Sequence, residues 1–335
     1  MSTVLVTGGA GYIGSHTVQQ LVERGDRVVV VDNLSTGFHD AVHRKAIFVW
    51  GDVGDRKLMA RVMKQWRIDA VLHFAAHTVV PESVSDPLRY YGNNTMNTRS
   101  LLESCARFGV DKFIFSSTAA VYGNTADGVA DENTATSPAN PYGRSKLMSE
   151  TMLRDWSATG AMRHVILRYF NVAGCDPEGR IGHSTPHATL LIKVACEHAI
   201  GKRHCLSIYG TDYDTPDGTG VRDFIHVEDL AAAHLRALDH LRDGGESLVL
   251  NCGYGHGYSV REVANTVARV CGHALNVVEL PRRPGDIGML IARSDLLRQT
   301  LGWTPRYDDL DVIVRTALDW EYHLAGMSAP LVSVA

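Results

Sequence analysis

The chain has 335 residues, 45% of them hydrophobic and 21% charged, with a formal net charge of −4. That length can bury a large core, as one big domain or as two lobes, and the slight acidity excludes the basic face that a nucleic-acid binder needs. No run of about 18 apolar residues marks a membrane span, and the opening "TVLVTGG" reads as a strand rather than a secretory leader.

The first half alternates β-branched runs with amphipathic segments. Strands are predicted at Val4–Thr7, Arg27–Asp32, Ala46–Gly51, Ala70–Phe74, Lys112–Ser116 and His164–Arg168. Helices are predicted near Ser15–Glu23, Arg56–Gln65, Thr95–Phe108 and Tyr142–Thr159. This rhythm predicts an α/β fold, a doubly wound parallel sheet with helices on both faces. After about Asn171 the pattern breaks into glycine- and proline-rich loops between helices such as Val227–Leu241 and Val260–Cys271, ending in a tail, "GMSAPLVSVA", that reads as frayed. The expectation is a Rossmann-type domain over residues 1–170. Residues 171–335 would form a smaller α/β lobe that closes over a ligand, with some segments returning to the first domain. The six cysteines stand without CxxC pairs and read as buried reduced thiols of a cytoplasmic protein, and the scattered histidines imply no metal site.

"VTGGAGYIGSH" places Gly8, Gly11 and Gly14 directly after the first strand and at the start of a helix. Taken alone, such a loop is either a flexible turn or a phosphate cradle. In a cradle the first glycine makes the turn, the second admits a pyrophosphate and the third lets helix and sheet close up. Asp32, ending the second strand about 20 residues on, favours the cradle, because a carboxylate there accepts ribose hydroxyls. Its charge repels a 2′-phosphate and "NLSTG" brings no arginine, so NAD is expected over NADP. Asp52 and Val53, after the third strand, fit beside an adenine or simply begin a loop.

Tyr142 and Lys146 stand four apart on a predicted helix and so share a face. An ammonium beside a phenol favours the phenolate, which could take a proton from a sugar hydroxyl. Thr118, at the end of the fifth strand, can bond the same oxygen. By itself, YxxxK reads first as a surface pair on an amphipathic helix. The glycine loop and Asp32 tip the reading toward chemistry.

In order along the chain stand "VLVTGGAGYIGSH", "VVDNLSTG", "HFAAHTVVPESV", "YYGNN", "FIFSSTAAVYG", "NPYGRSKLMSE", "LRYFNVAG", "DGTGVRDFIHVEDLA" and "PRRPGD". With these the chain resembles the extended short-chain dehydrogenase/reductases, and within them the UDP-glucose 4-epimerase family. The resemblance implies reversible 4-epimerisation of UDP-glucose and UDP-galactose through a 4-keto sugar, with transient hydride transfer to tightly bound NAD. It implies cofactor contacts at Gly8, Gly11, Tyr12, Ile13, Gly14, Asp32, Asn33, Ser35, Thr36, Gly37, Asp52, Val53, Phe74, Ala75, Ala76, Asn93 and Phe170. Thr118, Tyr142 and Lys146 match the catalytic set and face both cofactor and substrate. Asn171, Leu190, Leu191, Arg222, Arg283, Asp286 and Leu290 match positions around the UDP-sugar. A homodimer through helices near Thr95–Phe108 and Ser145–Ser157 is also implied.

Residue types sharpen this expectation. Arg222 and Arg283 can neutralise a diphosphate and Asp286 can accept ribose hydroxyls, although Arg222-Asp223 also reads as a plain ion pair. Related dehydratases carry an Asp-Glu pair after the threonine, where this chain has Ala119 and Ala120, neither of them an acid or base. Thr78 replaces a lysine of some relatives, Leu190 a polar residue, and Leu290 a tyrosine. A leucine at position 290 either opens the sugar pocket or refills it. Action mainly on UDP-N-acetylhexosamines or UDP-pentoses, or a non-catalytic NAD- and UDP-sugar-binding regulator, stay open as alternatives.

Overall fold

Strand β1 (Thr3–Thr7) turns Val4 and Val6 to one face of a sheet and Leu5 to the other, and all three are fully buried. The same alternation splits β2 (Arg27–Asp32), where Val28 and Val30 oppose Val29 and Val31. Side chains alternate at period two, so a strand that is apolar at every position must be covered on both faces. The computed structural model, which describes residues 2–186, 188–283 and 286–327, shows that arrangement. Positions 328–335, most of the tail read as frayed, and the 284–285 step of "PRRPGD" lie outside the described residues.

In chain order the remaining elements of the sheet layer are α1 (Tyr12–Glu23), β3 (Ile47–Trp50), α2 (Arg56–Trp66), β4 (Ile68–His73), α3 (Asn97–Phe108), β5 (Lys112–Ser116), α4 (Pro141–Ser157), β6 (Arg163–Tyr169), α5 (Val227–Arg242) and β7 (Leu248–Cys252). The seven strands run parallel in the order β7-β6-β5-β4-β1-β2-β3. This is the doubly wound Rossmann arrangement, extended by one strand. Val18 and Leu21 of α1 and Leu230, Ala237 and Leu241 of α5 cover one face. Met59 and Val62 of α2, Leu101 and Cys105 of α3 and Leu153 of α4 cover the other.

The seventh strand, β7, comes from the second half of the chain, from which some segments were expected to return to the first domain, and pairs with β6 from Leu248↔Val165 to Cys252↔Tyr169. The helix expected from Thr95 begins instead as a π-helical segment, Tyr91–Met96, that runs into α3. π-Helical turns widen a helix locally and are frequent at functional sites. Strand Val129–Ala130 of the first half joins Val221–Arg222, Tyr258–Ser259 and Met289–Ala292 of the second in a four-stranded sheet against which helix Val260–Cys271 packs, and helices Leu191–Ala199 and Leu310–Leu324 pack on that helix and on each other. Five of the six cysteines are buried, and none is in a disulfide. Among the described residues, no helix is long and apolar enough to cross a membrane.

Candidate active site

Strand order reverses between β1 and β4, which opens a crevice at their carboxyl ends. Gly8 turns there with φ +71°, and a Cβ on it would lie 2.5 Å from the Ala75 nitrogen on the far wall. Only glycine fits that close approach. A Cβ on Gly14 would collide with the Gly8 carbonyl, so the third glycine lets α1 close onto the loop. Gly11 caps α1 without any side chain on the first-turn N–H groups. Those donors, with the positive end of the helix dipole, suit a pyrophosphate.

Asp32 is buried at the tip of β2 and accepts the Ala10 N–H (3.0 Å) and the Leu34 N–H (2.8 Å), one on each oxygen. A carboxylate has about four acceptor sites, so each oxygen keeps one for a ribose hydroxyl. Burial raises its pKa and the two N–H bonds pull it back down. Leu34 holds a left-handed φ of 58° in the following turn. Asn33 donates to Asp52 (3.1 Å), which also accepts from Gly54 (2.7 Å) and Asn97 (3.0 Å). Ser35 donates its N–H to Asn33, and Gly37 lies against Ala10 while Thr36 stays exposed beside it. On the other wall, Phe74 bonds the Thr7 carbonyl and leads into Ala75 and Ala76. The crevice thus has the turn, the donors and the ribose acceptor that NAD needs.

Two side chains point elsewhere. The Tyr12 hydroxyl donates to the Gly174 carbonyl (2.6 Å) and its ring stacks on His183, 4.5 Å between centroids. What Tyr12 and Ile13 offer the crevice is their main-chain N–H. Val53 is buried in the core under α2, so only its backbone faces the adenine end.

Asn140 caps α4 by accepting the Gly143 N–H (2.9 Å), and Pro141 starts the helix, which sets Tyr142 in its first turn. Tyr142, Lys146 and Thr118 are all buried. The Lys146 ammonium donates to the Ser116 carbonyl at the end of β5 (2.9 Å) and lies 4.9 Å from the centre of the Phe115 ring. It therefore grips the strand end. The expected lowering of the phenol by the lysine is outweighed by burial. Burial pushes Tyr142 up to about 12, partly offset by a hydrogen bond from Thr118. Burial also draws Lys146 down to about 7, against the opposing pull of Glu150. A dry crevice disfavours phenolate and ammonium alike.

Asn93 lies on the π-helical segment and donates to Asn94 (3.1 Å). Asn94, which sequence reasoning passed over, is buried and ties the loop after β4 to α4. It accepts the His77 N–H (2.8 Å) and donates to the His77 carbonyl (3.0 Å) and to Ser145 (3.0 Å). Glu150 and Arg168 were also passed over and form a buried ion pair behind Thr118. Glu150 stands four residues after Lys146, a spacing that would have exposed it.

The second half supplies the opposite wall. Asn171, Leu190 and Leu191 meet Tyr12 and His183 around one narrow pocket. Arg222 and Asp223 are not an ion pair. Arg222 donates to the carbonyls of Val221, Ile287 and Gly288, while Asp223 accepts three main-chain N–H groups, from Tyr254, Gly255 and Ala292. Burial lowers the Arg222 pKa against the pull of Asp286. Arg283 donates to Asp286 through Nε (2.7 Å) and Nη2 (3.2 Å), so these two are engaged with each other. Leu290 is 6% exposed and packs in a cluster with Phe170, Ala119 and Tyr122.

The NAD dependent epimerase/dehydratase family profile matches residues 4–253. A UDP-glucose 4-epimerase from Azospirillum brasilense is 56% identical, over 96% of this chain and 92% of its own length. The UDP-Glc/GlcNAc 4-epimerase structure from Campylobacter jejuni is 49% identical, with a TM-score of 0.85 over 96% of this chain and all of that one (100%). The UDP-glucose 4-epimerase structure from Bifidobacterium longum, solved in complex with NAD+ and UDP, is 40% identical, with a TM-score of 0.91 over 96% of this chain and 98% of that one. A main-chain dinucleotide crevice, a buried Tyr-Lys-Thr set beside it and full-length similarity agree: the chain belongs to the NAD dependent epimerase/dehydratase family.

Proposed function

We propose that the protein interconverts UDP-glucose and UDP-galactose by 4-epimerisation, with NAD as resident cofactor. The observation that carries this reading is the buried set of Tyr142, Lys146 and Thr118 at the mouth of the dinucleotide crevice. Residues 1–170 supply most of the cofactor site and residues 171–335 most of the sugar-nucleotide wall. NAD, when bound, supplies a positively charged hydride acceptor for the hydrogen on sugar C4.

The chain's own residues do the rest. Tyr142 takes the proton of the 4-hydroxyl, and Thr118 holds that oxygen in line. Burial favours the neutral phenol, and a positive charge on a bound cofactor would favour the phenolate instead. The 4-keto sugar turns about its bond to the β-phosphate, and Tyr142 returns the proton with the opposite face presented. Arg222 and Arg283 hold the diphosphate throughout, and Asp286 and Asn171 steady the uridine end. Ala119 and Ala120 leave no acid or base for a dehydration.

A homodimer fits the same reading. Val84, Leu88, Met96 and Met148 are exposed around the π-helical segment, α3 and α4, an apolar patch of the kind that second copies cover. The unpaired thiols fit a reducing compartment, the cytoplasm. The test is product analysis after incubation with UDP-galactose. UDP-glucose should accumulate to equilibrium with no net NADH, and a protein that only binds the sugar nucleotide would leave it unchanged.

A further inference from the structure

Tyr142, Lys146 and Glu150 stand at four-residue steps along α4, so one stripe of the helix carries all three into the interior. Glu150 has no exposed surface. Its Oε1 accepts from the Ser117 hydroxyl (2.5 Å) and Arg168 Nε (3.0 Å). Its Oε2 accepts from Arg168 Nη2 (2.6 Å) and Arg154 Nη2 (2.7 Å). Those four bonds fill the carboxylate, leaving nothing for a substrate or cofactor. Arg168 continues to the Tyr122 hydroxyl (3.1 Å), which donates to Asn251 on β7 (2.6 Å). Stability alone does not call for such a network, since apolar residues of similar volume often replace a buried ion pair without loss.

Its location matters more. Ser117 lies between Ser116, whose carbonyl takes the Lys146 ammonium, and Thr118, which faces the phenol. We propose that Glu150 is a positioning residue of the catalytic set, fixing the Ser116–Thr118 strand end against α4 and standing as the counter-charge of Lys146. This rests on the reading of Tyr142 and Lys146 given above. The titratable groups around Lys146 are Tyr142 and Glu150 on its own helix and His73 on β4, which burial holds neutral with a pKa of about 3. Ser116 brings in His234 on α5, held neutral in the same way with a pKa of about 4, and Tyr169 on β6, whose phenol burial pushes up. Arg168 on β6 is bound to Glu150. Glu150 is thus the anion that opposes the loss of charge on Lys146.

The sign follows. Without the Glu150 charge, burial draws Lys146 down further, so its ammonium is lost at a lower pH. In 13C-lysine-labelled protein, with Lys146 assigned by its loss in Lys146→Met, the Lys146 midpoint should fall by about one unit in Glu150→Gln. The alkaline limb of kcat should move with it, at unchanged KM for UDP-galactose. Glu150→Gln leaves Arg168 buried without its partner, so Glu150→Gln/Arg168→Met, which removes both charges, is the second variant; because the like charge of Arg168 leaves with Glu150, its Lys146 midpoint should fall less than in Glu150→Gln. An unchanged midpoint in folded Glu150→Gln, or a fall in the double variant as large as in the single one, overturns the counter-charge role. Ser117→Ala removes only a hydroxyl and should lower kcat about three- to tenfold with KM unchanged; unchanged kcat overturns the role in holding the strand end. The lysine titration needs no turnover. A wild type that fails to convert UDP-galactose therefore sinks the epimerase reading, while the titration still decides for or against Glu150.

Discussion

The crevice at the ends of β1, β2 and β4 and the wall formed by residues 221–223, Arg283 and residues 286–290 handle two halves of one chemical problem with different materials. The crevice is mostly main chain: the Gly8 turn, the open N–H groups of α1, and a single carboxylate on Asp32. The wall is long side chains, with Arg222 resting on carbonyls and Arg283 resting on Asp286. Backbone donors are placed by the sheet and cannot rearrange. Arginines can leave one partner for another, which suits the proposed role of holding a diphosphate while the sugar turns over.

The contrast is broken most severely where the two meet. Tyr142→Phe should cut turnover by at least about a hundredfold, a general-base effect, while isothermal titration finds UDP binding nearly intact. Near-normal turnover would falsify the assignment of the base. Next comes the crevice. Gly8→Ala adds strain at a positive φ and a clash with Ala75, a cost of about 1–3 kcal/mol, so the purified variant should hold several-fold to about a hundredfold less NAD. Retention of a full complement of NAD would mean that the turn does not press on the cofactor.

The wall should be more forgiving. Arg222→Lys keeps the charge but loses the planar fork, so KM for UDP-galactose should rise about tenfold at nearly constant kcat. A fall in kcat with KM unchanged would place Arg222 with the reacting sugar instead of the diphosphate. The smallest effect is expected at Leu290. The wild type should epimerise UDP-GlcNAc more slowly than UDP-glucose, and Leu290→Tyr should depress the N-acetylated rate by about tenfold relative to the unsubstituted one. Because Leu290 is packed against Phe170 and Tyr122, the larger ring also overfills a core and should lower the melting temperature. Equal losses on both sugars would mean that the residue acts through stability alone.

The glycine turn, Asp32 and the Tyr142–Lys146 pair were legible because each depends on neighbours close in sequence. A turn, a strand end and one helical face are local geometry, and local geometry is written in spacing. The parallel sheet was legible for the same reason, through alternating apolar runs. What lies beyond local spacing was decided by packing. β7 joins β6 across some eighty residues, on the strength of its place in the sheet. Tyr12 turns its hydroxyl to Gly174, away from the crevice, because the second lobe offers a buried carbonyl there. Val53 sinks into the core under α2 for want of any other cover. The charge states followed the same division. Spacing placed an ammonium near a phenol, but burial set Lys146 near 7 and Tyr142 near 12, because desolvation depends on every atom that excludes water from the crevice.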